Sequence, residues 1–265
     1  MTDRFGPEQI RDFWKQQART HGQASAASWT DGPAIELEVA QLLQRLRDGE
    51  DVLDVGCGNG HSTMRLAAGR KITIRGLDYI PEMIDHARRR LATAPAAFRE
   101  RVQFDVGDVT ALNEPIRAYD KVVAVRVIIN LDSWAQQQAG LRECCRVLKP
   151  GGVLLLSEAT LQGWNKLNAL RREWGLPDIP MPGFNQYLDE DQVIEAVRPN
   201  LELLELVNFA STYYVGTRVL KALLSQALNA SIDVGNTDME WNRWCASLPA
   251  WGDYGTQKLF VFRRR

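Results

Sequence analysis

Residues 52–60 read Val-Leu-Asp-Val-Gly-Cys-Gly-Asn-Gly, a short apolar run that meets glycines at 56, 58 and 60 and then opens a helical stretch. Glycine at these positions lets the backbone turn tightly and approach a ligand with no Cβ in the way. The surrounding pattern is equally restrictive. From Asp51 to Glu158, short β-branched runs alternate with helical stretches, the signature of βαβ units around a parallel sheet. Strands are predicted over Asp51–Val55, Lys71–Leu77, Arg101–Asp105, Tyr119–Val125 and Gly152–Ser157. Helices are predicted near Gly60–Ala68, Pro81–Ala92 and Ser133–Leu148, the last stopped by Lys149-Pro150-Gly151-Gly152. The fold class is therefore α/β, with a doubly wound sheet.

Segments outside this core are helical and aromatic. Glu8–Arg19 and Pro33–Leu46 read as helices, the second with Ile35, Val39, Leu42, Leu43 and Leu46 on one face and Asp31-Gly32-Pro33 as its start. After the core, helices are expected near Leu161–Trp174, Asp189–Val197, Val215–Leu228 and Thr237–Ala246, with strands near Leu201–Phe209 and Gln257–Arg263. All eight tryptophans fall outside the five core strands. Ligands in open α/β sheets bind beyond the carboxyl ends of the strands, so these aromatic segments are expected to roof the site.

Charge and cysteine content exclude several classes. Thirty-two Lys and Arg balance thirty-three Asp and Glu, so the basic footprint of a nucleic-acid or acidic-membrane binder is missing. Four cysteines without a CxxC pair and three histidines give neither a zinc nor a disulfide framework. The amino-terminal stretch carries charge within four residues and no apolar run, so a cytoplasmic chain without an export or membrane segment is expected.

Three acids follow the strands at informative places. Asp54 beside the glycine turn is a poor neighbour for a pyrophosphate and a good one for a cationic, amino-bearing ligand. Asp78, about twenty residues past the turn, stands where an acid accepts ribose hydroxyls. Asp108 ends the third strand and could take an adenine amino group, with Tyr79 or Ile80 against the ring.

The stretches VLDVGCGNG, GLDYIPEMI, VGDV, YDKVVAVRVIINL and RVLKPGGVLLLSE, in this order, resemble the class I S-adenosylmethionine-dependent methyltransferases over roughly residues 48–160. The resemblance implies a Rossmann-like seven-stranded sheet with a reversed final strand. Residues 1–48 would form an N-terminal helical cap, and residues 49–265 an S-adenosylmethionine-binding domain with lid insertions at about 161–198 and 211–255. It also implies S-adenosyl-L-methionine as cofactor and S-adenosyl-L-homocysteine as product. Gly56, Cys57, Gly58 and Gly60 would line the methionine part, Asp78 the ribose, and Asp108 with Val109 the adenine. Arg126 and Val127 would face the methionine side.

The acceptor is expected to be a small molecule, methylated at oxygen in preference to nitrogen. No Asn/Asp-Pro-Pro-Tyr-like turn follows the fourth strand, no Pro-Cys nucleophile is present, and the acids of a catechol-type metal site are not clustered, so neither nucleic acid nor a metal is expected. A homodimer is left open. Related small-molecule O-methyltransferases place a histidine base after strand four, where this chain has Asn130, which cannot take a proton at neutral pH. His21 is the first choice as base and Glu158 the second, with Asn130 orienting the acceptor. His61 opens the glycine-turn helix, where the dipole disfavours a cation. Trp29, Trp164, Tyr187, Tyr213 and Tyr214 are the expected acceptor walls, suited to attract a sulfonium by cation–π contact. Two alternatives use the same cofactor fold: an intramolecular displacement releasing methylthioadenosine, and a non-catalytic cofactor-binding protein.

Overall fold

The computed structural model describes residues 4–229 and 232–265. The first three residues of the expected cap and two of the second insertion lie outside the described residues. Among the described residues seven strands form: β1 (Asp51–Val55), β2 (Thr73–Asp78), β3 (Val102–Val106), β4 (Tyr119–Val125), β5 (Leu148–Ala159), β6 (Leu201–Val207) and β7 (Gln257–Arg264). They pair in the order β3-β2-β1-β4-β5-β7-β6, with β7 antiparallel to both neighbours and the other pairs parallel. This is the doubly wound seven-stranded sheet expected, including its reversed final strand. The order reverses between β1 and β4, which opens a crevice at their carboxyl ends.

The two-residue period of the strands divides the core into two layers. Val52, Val123, Leu155, Leu259 and Val261 face one layer; Leu53, Val122, Leu154, Phe260 and Phe262 face the other. The first layer is covered by α2 (Gly32–Arg45), α3 (His61–Gly69) and α4 (Pro81–Ala92). The second is covered by α6 (Trp134–Val147) and α8 (Glu190–Val197), while the short α5 (Ala96–Arg99) precedes β3 and α7 (Leu161–Glu173) follows β5. Asp31 caps α2 by accepting the Ala34 N–H at 3.2 Å, and Ile35, Val39, Leu42 and Leu46 are buried beneath it.

The cap lies over the crevice. Helix α1 (Pro7–His21) packs on α4, and the Asn59 amide in the glycine turn donates to the carbonyls of Gly22 and Ala24, both at 2.8 Å. From the other side, Phe184 in the first insertion stacks on Phe13 of α1 with centroids 4.1 Å apart. Helix α1 and the stretch carrying Phe184 therefore meet above the strand ends. Among the described residues no helix is long and apolar enough to cross a membrane.

Two expectations fail locally for identifiable reasons. The Pro-Gly-Gly stretch does not precede β5 but lies inside it, absorbed by a register shift between Tyr119 and Lys121 on β4 and by Gly151 at φ 74°. The helix expected over Val215–Leu228 is instead α9 (Ser211–Tyr214), a π-helical turn (Val215–Leu220) and α10 (Lys221–Ala227). Its Gly216 lies so close to α11 (Glu240–Ser247) that an added Cβ would stand 2.5 Å from Cys245 Sγ, and the Gly216 carbonyl accepts from the Trp241 indole at 3.0 Å.

Gly60 fixes how closely α3 approaches β3. It sits at φ 74°, and a Cβ there would lie 2.8 Å from the Phe104 ring and 3.0 Å from Ala87 Cβ. Gly60→Ala should lower unfolding free energy by about 2–4 kcal/mol, combining left-handed strain with overpacking. Urea denaturation checks this, and an unchanged midpoint would show that the core yields freely.

Candidate active site

The glycine turn is held open by backbone and carboxylate bonds. Gly56 N–H and Cys57 N–H both donate to the Leu77 carbonyl, at 2.7 and 2.9 Å, which locks β1 to β2 at the turn. The Asp78 carboxylate accepts the Gly58 N–H on one oxygen and the Ile80 N–H on the other, each at 2.9 Å. One acid thus shapes two loops and keeps a further lone pair on each oxygen. Nothing lies within 4 Å of where a Gly58 Cβ would be, so the turn presents bare backbone to the crevice.

That crevice is a cavity of about 340 Å³. Asp54, Gly56, Cys57 and Gly58 line it from the turn, Asp78 and Tyr79 from the end of β2, and Asp108 and Val109 from beyond β3. Burial raises Asp54 to about 7, against the hydrogen bond from Thr63 Oγ1 at 2.6 Å. Burial also raises Asp78 to about 6, opposed by its two backbone donors. Both carboxyls therefore favour a cationic partner that would offset their desolvation. Asp108 is exposed and accepts both the N–H and the hydroxyl of Thr110, at 2.8 and 2.7 Å. His61 also lines this cavity, and burial, then Arg90, Arg65 and Arg126, lower its pKa.

A second chamber of about 680 Å³ adjoins the first, and Trp14, Ser28, Arg126 and Asn130 line both. Arg126 directly follows β4 with the left-handed φ of 50° and donates its backbone N–H to the Ser157 carbonyl. Its guanidinium pairs with the buried Glu38 of α2 and stacks 4.8 Å from the Trp29 ring. The Asn130 amide donates to the Arg126 carbonyl at 2.6 Å. Trp29, Trp164, Tyr187 and Tyr214 line the chamber, with Trp164 anchored by donating to the Ile179 carbonyl at 2.8 Å.

Four expected site residues stand elsewhere. Tyr213 is buried and lines neither cavity, its hydroxyl donating to Asp31 at 2.5 Å. Glu158 is enclosed, raised to about 8 by burial, and accepts the Val127 and Ile128 N–H groups at 2.9 and 2.8 Å. It braces the 3₁₀ turn Ile128–Asn130 and reaches neither cavity. His21 ends α1 and also lines neither, and Gly60 serves packing. The sequence reading missed Trp14, Ser28 and Glu38. Ile10, Phe13 and Trp14 form an i, i+3, i+4 stripe, and Glu38 interrupts the apolar face of α2, so both signals were present.

Residues 52–152 match a family model described as a methyltransferase domain. The chain is 30% identical over 141 residues to the 27-O-demethylrifamycin SV methyltransferase of Amycolatopsis mediterranei (strain S699), covering 50% of each chain. It is 32% identical over 177 residues to methyltransferase GfsG of Streptomyces halstedii, covering 62% of each. The matches thus span half to about three-fifths of those relatives' lengths. The N-methyltransferase NodS of Bradyrhizobium japonicum WM9, solved with S-adenosyl-L-homocysteine, superposes with a TM-score of 0.56 at 17% identity, over 95% of this chain and 98% of that one. Residues 52–152 accordingly match a methyltransferase domain, and the whole chain has the fold of the solved methyltransferase. The crevice fits S-adenosylmethionine: an open glycine cradle, an Asp78 carboxylate with free lone pairs, and buried acids suited to a cationic ligand.

Asp78→Ala should weaken S-adenosylmethionine binding by more than about 1.5 kcal/mol in calorimetry, since charge-assisted bonds and the loop brace are both lost. Affinity should also depend on pH. A cationic ligand binds the ionised carboxylates better, so affinity should fall as pH drops from 8 to 5 through the raised values of Asp54 and Asp78, about 7 and about 6. Asp54→Asn should remove the part of that slope near pH 7; an unaltered slope would assign the titration elsewhere.

Proposed function

We propose that this chain transfers the methyl group of S-adenosylmethionine to an oxygen atom of a small organic acceptor seated in the larger chamber, leaving S-adenosylhomocysteine. The observation that carries this is the junction: two cavities of about 340 and 680 Å³ share a wall of four side chains. The bound sulfonium supplies an electrophilic methyl carbon. What the protein must add is alignment of the acceptor, exclusion of water and a place for any proton.

Alignment comes from the braced junction. Glu158 holds the 3₁₀ turn, Asn130 ties back to Arg126, and Glu38 with Trp29 holds the Arg126 guanidinium. Water exclusion comes from the roof, where Phe13 and Phe184 stack above the strand ends. The chamber's size falls in the range of pockets that enclose small ligands, which supports a small-molecule acceptor over a polymer. Its lining has arginines and, among the described residues, no Asp or Glu, a poor host for a protonated amine and a reason to favour oxygen. A displacement within S-adenosylmethionine would have no use for this chamber.

Purified protein incubated with methyl-labelled S-adenosylmethionine and a small-molecule extract should give labelled product and S-adenosylhomocysteine in equal amounts by mass spectrometry. Methylthioadenosine formed without acceptor would overturn this reading. His21→Ala should retain turnover within about two-fold of wild type, because His21 reaches neither cavity. A hundred-fold loss, about 2.7 kcal/mol, would instead restore it as the base.

A further inference from the structure

We infer that the acceptor is an apolar carboxylic acid and the product its methyl ester; this rests on the methyl-transfer reading above and specifies its substrate class. The four side chains shared by both cavities, Trp14, Ser28, Arg126 and Asn130, include no group that accepts a proton at neutral pH. The wall of the larger chamber contains, among the described residues, no Asp, Glu, His, Lys or Cys. Nearby titratable groups serve other places. Asp54, His61 and Asp132 line only the smaller cavity, and Glu38 lies behind Arg126, engaged by Arg126, Ser157 and Gln257. An alcohol seated in the chamber would have to shed its proton at the transition state with, among the described residues, no base in the chamber wall to receive it.

The same junction is built to receive an anion. Trp14 Nε1 is buried and has no hydrogen-bond partner among the described residues, a cost that an acceptor oxygen would remove. Arg126 commits Nη1 to Glu38 and still lines both cavities. Farther along the chamber, Arg171 is 8% exposed and donates only to the carbonyls of Pro177 and Arg218, with no carboxylate within 4 Å among the described residues. A buried guanidinium with no directly paired carboxylate, Asp178 acting on it only at longer range, raises the potential of the space it lines. Between these cations stand Trp164, Tyr187, Tyr214, Leu176 and Ile179, which call for an apolar body.

A carboxylate is ionised at neutral pH and needs no base. One of its oxygen lone pairs forms the new O–CH₃ bond as the C–S bond breaks, and the breaking pair goes to sulfur. The anion and the sulfonium become a neutral ester and a neutral thioether, and no proton is released.

The test is labelling with methyl-labelled S-adenosylmethionine against matched probes: decanoic and 4-phenylbutanoic acids, the corresponding alcohols and amines, and an acidic small-molecule extract. Label should enter the acids only and be released as methanol by mild alkali. Alkali-stable label, or label in the alcohols or amines, would overturn the carboxylate inference and leave methyl transfer standing. No label and no S-adenosylhomocysteine from protein that binds the cofactor would overturn both. With the labelled acid, Trp14→Phe keeps the ring and deletes the unpaired N–H, and should raise acceptor KM about ten-fold, more than it raises the KM for the cofactor. Equal effects on both would remove Trp14 from acceptor recognition.

Discussion

The pair between Glu38 and Arg126 organises this molecule. Glu38 is 1% exposed on the face of a helix that otherwise buries aliphatic side chains, and Arg126 takes a left-handed backbone at the end of a central strand. Both are expensive placements: removing one partner of a buried ion pair typically costs about 3–5 kcal/mol, and a strained residue about 1–3 kcal/mol more. The surroundings offset that cost by satisfying the charges. Ser157 from β5 and Gln257 from β7 also donate to Glu38, and Trp29 covers the guanidinium. A single carboxylate therefore joins the N-terminal cap to three strands at the point where the sheet order reverses. A second pair, Asp31 with Arg218, extends the arrangement to the late insertion, with Tyr213 donating to the same acid. The junction between the cavities therefore requires the N-terminal helices to be docked on the sheet, and the later segments complete the larger chamber.

Buried carboxyls carry a stability cost that follows from the same geometry. Asp54, Asp78 and Glu158 are raised by burial to about 7, 6 and 8. Because their folded values exceed the ordinary carboxylate range, their contribution to stability is full below about pH 4 and is lost as pH rises through the folded values. Two of them line the cofactor crevice, where a cationic ligand relieves the charge. Glu158 has no such relief, and its role is mechanical: its two backbone bonds set the turn that presents Asn130. Polar groups left unsatisfied for ligands are a normal signature of a site that trades stability for function.

What the sequence made legible follows the range of the forces involved. The glycine turn, the strand-end acids and the β-branched runs are local, and β1, β4 and α4 stand where periodicity placed them. Side-chain roles that depend on distant partners were less accessible. Glu158 looked like a base because it leaves a strand toward the site, yet the N–H groups of Val127 and Ile128, thirty residues earlier, capture it. Tyr213 and Tyr214 are adjacent, but the helical turn directs one to Asp31 and the other to the chamber. The π-helical turn depends on contact with α11, which no local propensity reports. Glu38 was the readable exception, an acid on an apolar stripe that demands a buried partner.

The division between shared and particular chemistry also runs along the chain. The family match ends at residue 152, and every cofactor-side acid lies within it. Trp14 and Trp29 come before that stretch; Trp164, Arg171, Tyr187, Tyr214 and Arg218 come after it. Similarity in the common stretch therefore speaks for the methyl donor and is silent on the acceptor. The flanking segments bring to the chamber aromatic area, arginines and, among the described residues, no Asp, Glu, His or Lys. For the carboxylate acceptor inferred above, such a site would select by charge, since an acceptor that arrives ionised would meet the arginines and one that must lose a proton would meet no base in the described chamber wall.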